Sequence, residues 1–137
     1  MSKENVEIVR RGIEAAIRRP KPDFATMSDL FDPDHEFVSL VDSTLEGGSH
    51  RGMDGYRDWL RGVEATVQSR TRLEQVKEID EERVLAITPT RHRGRSSGVA
   101  LHEERMAAVV TVREGKIVRT EVYRSPEDAL RAVGPAD

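Results

Sequence analysis

Residues 99–124, VALHEERMAAVVTVREGKIVRTEVYR, decide the fold. Val99 to Val112 is rich in β-branched residues and reads as one long strand. Glu114-Gly115 is a tight-turn pair, and Lys116 to Arg124 returns as an antiparallel partner. Working outward, Ser125-Pro126-Glu127-Asp128 opens a helix: a capping serine, proline in the first turn, and acids against the positive dipole end. That helix is short, over residues 126–133. Upstream, Gly94 to Gly98 (GRSSG) reads as a turn and Arg83 to Arg93 as a second long strand. Pro89 makes that strand a local edge or bulge. Residues 72–79 make a weak strand. Strands of about ten residues or more exceed the usual length and must coil and bend.

The N-terminal half is helical in pattern. Val6, Val9, Ile13, Ala16 and Ile17 recur at helical spacing behind the N-cap candidate Ser2, and Pro20 and Pro22 stop that helix. Asp23 caps a second, short helix with Phe24, Met27, Leu30 and Phe31 on its apolar side. Asp32-Pro33-Asp34 is a turn, His35 to Val41 a strand, and residues 42–52 a loop. A third helix runs from Asp54, with Tyr56, Trp59, Leu60, Val63 and Val67 on one stripe. Helices first and antiparallel strands after them give an α+β class. A strongly curved sheet with helices across its concave side encloses a cavity, and concave apolar cavities bind small molecules.

Composition narrows the function. The chain has 137 residues, one domain's worth, with 36 % hydrophobic and 34 % charged residues and a net charge of -3. That balance argues against general nucleic-acid binding. No cysteine is present, so thiolate catalysis, disulfides and cysteine-ligated metals are excluded. No apolar run reaches membrane-span length, and MSKENVEIVRR lacks an apolar signal region, so a cytoplasmic protein is expected. Of 22 basic residues 18 are arginines. They suit either phosphate or carboxylate recognition or solvated ion pairs.

Four strings in order, NVEIVRRGIEAA, DLFDPDHEF, HRGMDGYRDWL and VREGKIVRTEVYRSPEDAL, resemble the SnoaL-like branch of the nuclear transport factor 2-like, ketosteroid isomerase-like superfamily. The resemblance covers essentially the whole chain. It implies an α+β cone: a strongly curved, mainly antiparallel sheet wrapped around a long N-terminal helix and two shorter helices, with a short C-terminal helix. It also implies a homodimer formed through the sheet and an apolar pocket, lined here by Ile13, Phe37, Ser39, Trp59, Met106, Ala108, Thr120 and Val122. Enzymes of the superfamily place acids and tyrosines in that pocket. In this sequence the matching positions are Ile13, Ser39, Ala107 or Ala108, and Val122, and the arginine–aspartate pattern of the hydrolases keeps only Arg105. Those positions are neutral, so the relatives' proton transfers do not carry over. A one-residue shift in strand register would change which neighbour faces inward, notably Glu121 for Val122.

His102 and Glu104 share a strand face and are the candidates for acid–base catalysis. The alternative is an ion-paired, solvent-facing strand end opposite Thr88 and Thr90. No metal is expected: His35, His50, His92 and His102 are scattered, and adjacent His102 and Glu103 point to opposite faces. No cofactor is expected either. The basic cluster Arg91-His92-Arg93-Gly94-Arg95 lacks the aromatics of a single-strand binder and reads as a solvated turn. Arg119, Glu121 and Tyr123 alternate on one face and suit a dimer contact. The expected function is binding of a small hydrophobic molecule in the cone, with or without isomerase-, cyclase- or hydrolase-like acid–base chemistry. The alternative is a non-catalytic dimeric or partner-binding module with a vestigial pocket.

Overall fold

The computed structural model describes residues 2–19, 21–39, 48–94 and 100–134. Helix α1 (Ser2–Ile17) and α2 (Phe24–Leu30) precede strands β1 (Phe31–Ser39) and β2 (Gly48–Arg51). Helix α3 (Gly52–Thr66) leads into β3 (Val67–Thr71), β4 (Gln75–Glu78), β5 (Arg83–Gly94), β6 (Ala100–Arg113), β7 (Lys116–Tyr123) and α4 (Pro126–Val133). The sheet order is β2-β1-β7-β6-β5-β3, with β4 also on β5. All pairings are antiparallel except β1 with β7, which is parallel. The result is a curled half-barrel of the expected α+β cone type. Register shifts at Phe31/Glu36, Arg91/Arg93 and Thr111/Val112 supply local bends.

Pro89 shows why β5 is so long. Residues 84–87 pair with β4 and residues 90–94 with β3. Pro89 sits in the gap between those partners, where its carbonyl accepts from Arg72 N. The N–H that proline lacks would point to that same gap, so the ladder loses nothing. The opposite side of β5 pairs without interruption past Pro89, which lies across from Arg105 on β6.

Strand alternation sends two apolar sets to opposite sides. Val84, Ala86, Ala108 and Val110 face inward, where they pack with Val9, Ile13 and Ala16 of α1 and Tyr56 and Leu60 of α3. Leu85, Ile87, Ala107 and Val109 face outward, under Ala129 and Val133 of α4. Asp23 caps α2 by accepting from Thr26 N, and Ser125 caps α4 by accepting from Asp128 N. Both caps fall where the sequence places them.

Three boundaries differ from the sequence reading. Phe31 closes α2 and already belongs to β1, so Asp32-Pro33-Asp34 is an irregular strand segment beside the register shift, not a turn. Part of the expected 42–52 loop is β2, which pairs with β1. The weak strand expected at 72–79 is the shorter β4, and ahead of it Val67, expected on the stripe of the third helix, instead begins a further strand, β3. The expected GRSSG turn, apart from Gly94, and the strand start at Val99 lie outside the described residues.

The β6–β7 turn is built as its residues demand, with Glu114 at φ 51° and Gly115 at φ 78°. Two left-handed residues in a two-residue connection define the turn whose twist matches the strands. Glutamate is the costly member, since left-handed backbone suits Asn or Gly. Glu114→Asn is therefore expected to stabilise the fold by about 0.5 kcal/mol, read as a melting temperature raised by about 2 °C.

Candidate functional site

The inner face of the sheet is laid out in rows by strand register. Phe37, Thr120, Val110 and Val84 form one row across β1, β7, β6 and β5. Ser39, Val122, Ala108 and Ala86 form the next. Met106 with Thr88, then Glu104 with Thr90 and Thr71, continue along β6, β5 and β3. Burial falls off in that direction. The first row is buried throughout, whereas Val122, Met106, Glu104 and Thr71 are each only half-buried. Among the described residues Met106 packs into neither apolar cluster, although it faces the same side as Ala108.

Polarity rises along the same line. Thr88 and Thr90 are buried, and the Thr90 hydroxyl lies 3.0 Å from both the Thr71 hydroxyl and the Thr88 carbonyl oxygen. Glu104 stands opposite Thr90, the pairing that the sequence reading gave to a solvent-facing strand end, but it lies half-buried on the inward side. His102 belongs to β6, but its side chain lies outside the described residues, as do those of Val63, Val67, His92 and Arg93.

Helix α3 closes the β1 side. Its stripe carries Tyr56, Trp59 and Leu60 over Phe37. The Phe37 ring centroid is 4.5 Å from that of Trp59 and 5.4 Å from that of Tyr56. Such tilted and edge-on pairs contribute beyond their buried area. Tyr56 Oη reaches the Ala16 carbonyl at 3.5 Å, near the C-terminal end of α1 where a carbonyl lacks a helical partner. The indole Nε1 of Trp59 is buried with no hydrogen-bond partner among the described residues. The same holds for Nε2 of His50 on β2, whose register partner is Phe37.

At the closed end His35 is almost wholly buried, edge-on to Phe31 at 4.7 Å, with Nε2 3.0 Å from Thr120 Oγ1. Burial pushes its pKa down to about 4, outweighing the opposing pull of Asp32 and Glu36. His35 is thus a neutral core histidine at physiological pH.

The register also fixes which side each acid–base position takes. Ile13 is buried in the inner cluster, and Ser39, Val122 and Ala108 stand side by side in one inner row. Ala107 faces outward. Glu121 is on the outer side too, beside Arg119, which bridges it and Glu36. Tyr123 shares that side, and burial, then Glu121, raises its pKa. Arg105 is an exposed residue forked onto Glu74 at 2.7 Å. The eight pocket candidates, Ile13, Phe37, Ser39, Trp59, Met106, Ala108, Thr120 and Val122, all lie on the inner face or on the helices packed against it. In the basic cluster Arg91 is exposed and registers with Glu103, while Arg95 lies outside the described residues. Among the described residues no three His, Asp or Glu side chains group as metal ligands, and no helix is long and apolar enough to cross a membrane.

The sequence reading missed His50 as a member of this face. It sat in a stretch read as loop, where a residue has no assignable side. The signal was the Ser49-His50-Arg51-Gly52 junction, where glycine at φ 70° turns a strand into a helix.

A curled sheet with helices laid into its concavity is the fold shared with solved structures described as NTF2-like and as having a ketosteroid isomerase-like fold. Within that fold the chain belongs to the SnoaL-like domain family, whose model matches residues 9–120. An NTF2-like protein of unknown function from Burkholderia pseudomallei superposes with a TM-score of 0.75 at 21 % identity, covering 98 % of this chain and 100 % of that one. A putative polyketide cyclase from Xanthomonas campestris pv. campestris gives 0.72 at 19 %, covering 97 % and 98 %. TerC co-crystallized with polyporic acid gives 0.75 at 19 %, covering 92 % and 95 %. A comparison with curated proteins gives no match.

Proposed function

We propose that this protein binds a small, largely apolar molecule on the inner face of the cone, between α3 and the β5–β6–β7 floor. The observation that carries the reading is incomplete burial on the inside. Val84, Val110 and Ile117 are fully buried, yet Trp59, Met106 and Val122, which face the same concavity, are only half-buried. Apolar side chains turned inward but left uncovered are what a ligand pocket requires. Support comes from two structural neighbours, one co-crystallized with polyporic acid and one described as a putative polyketide cyclase.

The proposal is for binding, with no reaction assigned. Ile13, Ser39, Ala108 and Val122 put neutral groups where related enzymes hold a tyrosine or acids. His102 and Glu104, two apart on β6, remain the acid–base candidates, with Glu104 at the polar end of the floor.

Two measurements test the reading. Naphthalene is expected to raise the melting temperature, since a ligand at about 100 times its Kd adds about 2.7 kcal/mol. Trp59 is the sole tryptophan, so its fluorescence reports occupancy directly. Second, Val122→Phe is expected to cost less than about 1 kcal/mol while removing the naphthalene response, because it fills open space. Val110→Phe, in the packed row, is expected to cost about 3 kcal/mol. No response to naphthalene, together with equal costs for the two phenylalanines, would refute the pocket.

A further inference from the structure

Along β5, β6 and β7 the described inner positions hold one ionisable side chain, Glu104; the others are aliphatic residues, threonines and Met106. Turning a carboxylate inward costs hydration, which partners must replace. Glu104 is half-buried and already has an interaction partner. A carboxylate has about four lone-pair sites, so further donors can join it. The hydroxyls beside it are oriented by their own bonds. Each hydroxyl has one proton to give. Thr90 gives its proton to the Thr88 carbonyl oxygen at 3.0 Å, so in its 3.0 Å contact with Thr71 it accepts and Thr71 donates. Both protons are thus spent along the line from Thr71 through Thr90 to Thr88. Thr71 and Glu104 flank Thr90 in one row across β3, β5 and β6, and both are half-buried.

What this row offers to an incoming group is lone pairs and one negative charge. Thr88, one inner position further along β5, adds a hydroxyl that can turn its lone pairs the same way. An ammonium group matches such a row, since it brings three donors, no acceptor and a positive charge, and hydrogen bonds between ionised partners are the strong ones. A carboxylate would set lone pairs against lone pairs. The apolar part of the same molecule has a place beside it. Met106 is two residues from Glu104 on the same strand face, about 7 Å along it, half-buried and packed into neither apolar cluster. We infer that the inner face selects an apolar ring compound bearing a protonated amine, its ammonium held by Glu104 and Thr71 and its ring over Met106. The inference rests on the binding proposed above and adds the charge and chemical class of the ligand. It gives Glu104 a binding role as a fixed anion.

A series of naphthalenes titrated calorimetrically into the wild-type protein at neutral pH decides the matter. Naphthalene offers shape alone, 2-naphthylmethanol adds a neutral hydroxyl, 2-naphthylmethylamine an ammonium and 2-naphthoate a carboxylate. The amine is expected to bind about tenfold tighter than naphthalene, with the alcohol between them and the carboxylate weakest. The amine is also expected to compete with naphthalene for one site, followed by the fluorescence of Trp59. Glu104→Gln keeps the shape of the side chain and removes its charge. In that variant the amine and the alcohol are expected to bind within about twofold of each other. Equal binding of the amine and naphthalene, or of the amine and the alcohol, by the wild-type protein would overturn the inference and leave the apolar pocket standing. So would binding of the amine alongside naphthalene without competition, which would put the ammonium elsewhere. An undiminished preference for the amine in Glu104→Gln would overturn the role of Glu104. Binding of none of the four would overturn both this inference and the pocket. Because the wild-type series needs no variant, the result holds even where the substituted chain fails to fold.

Discussion

Gly12→Val is expected to lower the unfolding free energy by about 3 kcal/mol and the melting temperature by about 10 °C. Helix propensity alone predicts the opposite, since glycine inside a helix costs up to about 1 kcal/mol relative to alanine. Contact decides the sign. A Cβ at Gly12 would lie 2.7 Å from Ile117 Cδ1 and 3.2 Å from Phe31 Cε1, both in fully packed surroundings. Ile117 is 0 % exposed and cannot swing away, so α1 would have to lift from the sheet. Valine adds two more carbons to that clash. Gly12→Ala separates the opposing effects, because its propensity gain and its steric cost are both about 1 kcal/mol and leave a small net change. The double variant Gly12→Ala/Ile117→Val is expected to be more stable than the two single changes predict by addition. A stability for Gly12→Val equal to wild type would mean that α1 is not seated on β7.

Gly12 also marks what the sequence could and could not tell. Helix α4 and the β6–β7 turn were legible to the residue, and the ends of the two strands to within one, because local chemistry specifies them: a capping serine followed by proline and acids, and a Glu-Gly pair between β-rich runs. The cone as a whole was legible because four local strings in order carry the family pattern. Less legible were features that depend on distant partners. Gly12 reads as a helix defect until Ile117 is brought against it by the sheet. The start of β1 at Phe31 is hidden because Phe31 suits both the end of an amphipathic helix and a strand, and pairing with Ile117 settles it. His50 was invisible for the same reason, as only pairing with β1 gives it a side. The one-residue ambiguity between Val122 and Glu121 likewise needed the β6–β7 register, which turns Val122 inward.

The pH dependence of folding is expected to be dominated between about pH 6.5 and pH 4 by His35. In the unfolded chain it titrates near the ordinary histidine value of about 6.5. In the folded chain burial lowers that to about 4. Between these values the unfolded state binds a proton that the native state refuses, so acid draws the equilibrium towards unfolding. The contribution is intact above pH 6.5, shrinks by about 1.4 kcal/mol per pH unit below it, and amounts to about 3 kcal/mol lost by pH 4. The carboxyls of Asp23, Glu74 and Asp80 also have lowered pKa values, through hydrogen bonds from Thr26, Arg105 and Arg83 respectively. Their stabilisation is present above the ordinary carboxyl range and is lost only as pH falls through and below it, so the His35 window lies above theirs. His35→Gln keeps a hydrogen-bonding group beside Thr120 but removes the titration. Urea unfolding at intervals from pH 7.5 to 4.5 is therefore expected to show a steep decline for wild type and a nearly flat line for His35→Gln. Parallel declines in the two proteins would show that His35 is protonated in the folded cone and that its ring is not held neutral by the packing of Phe31 and Thr120.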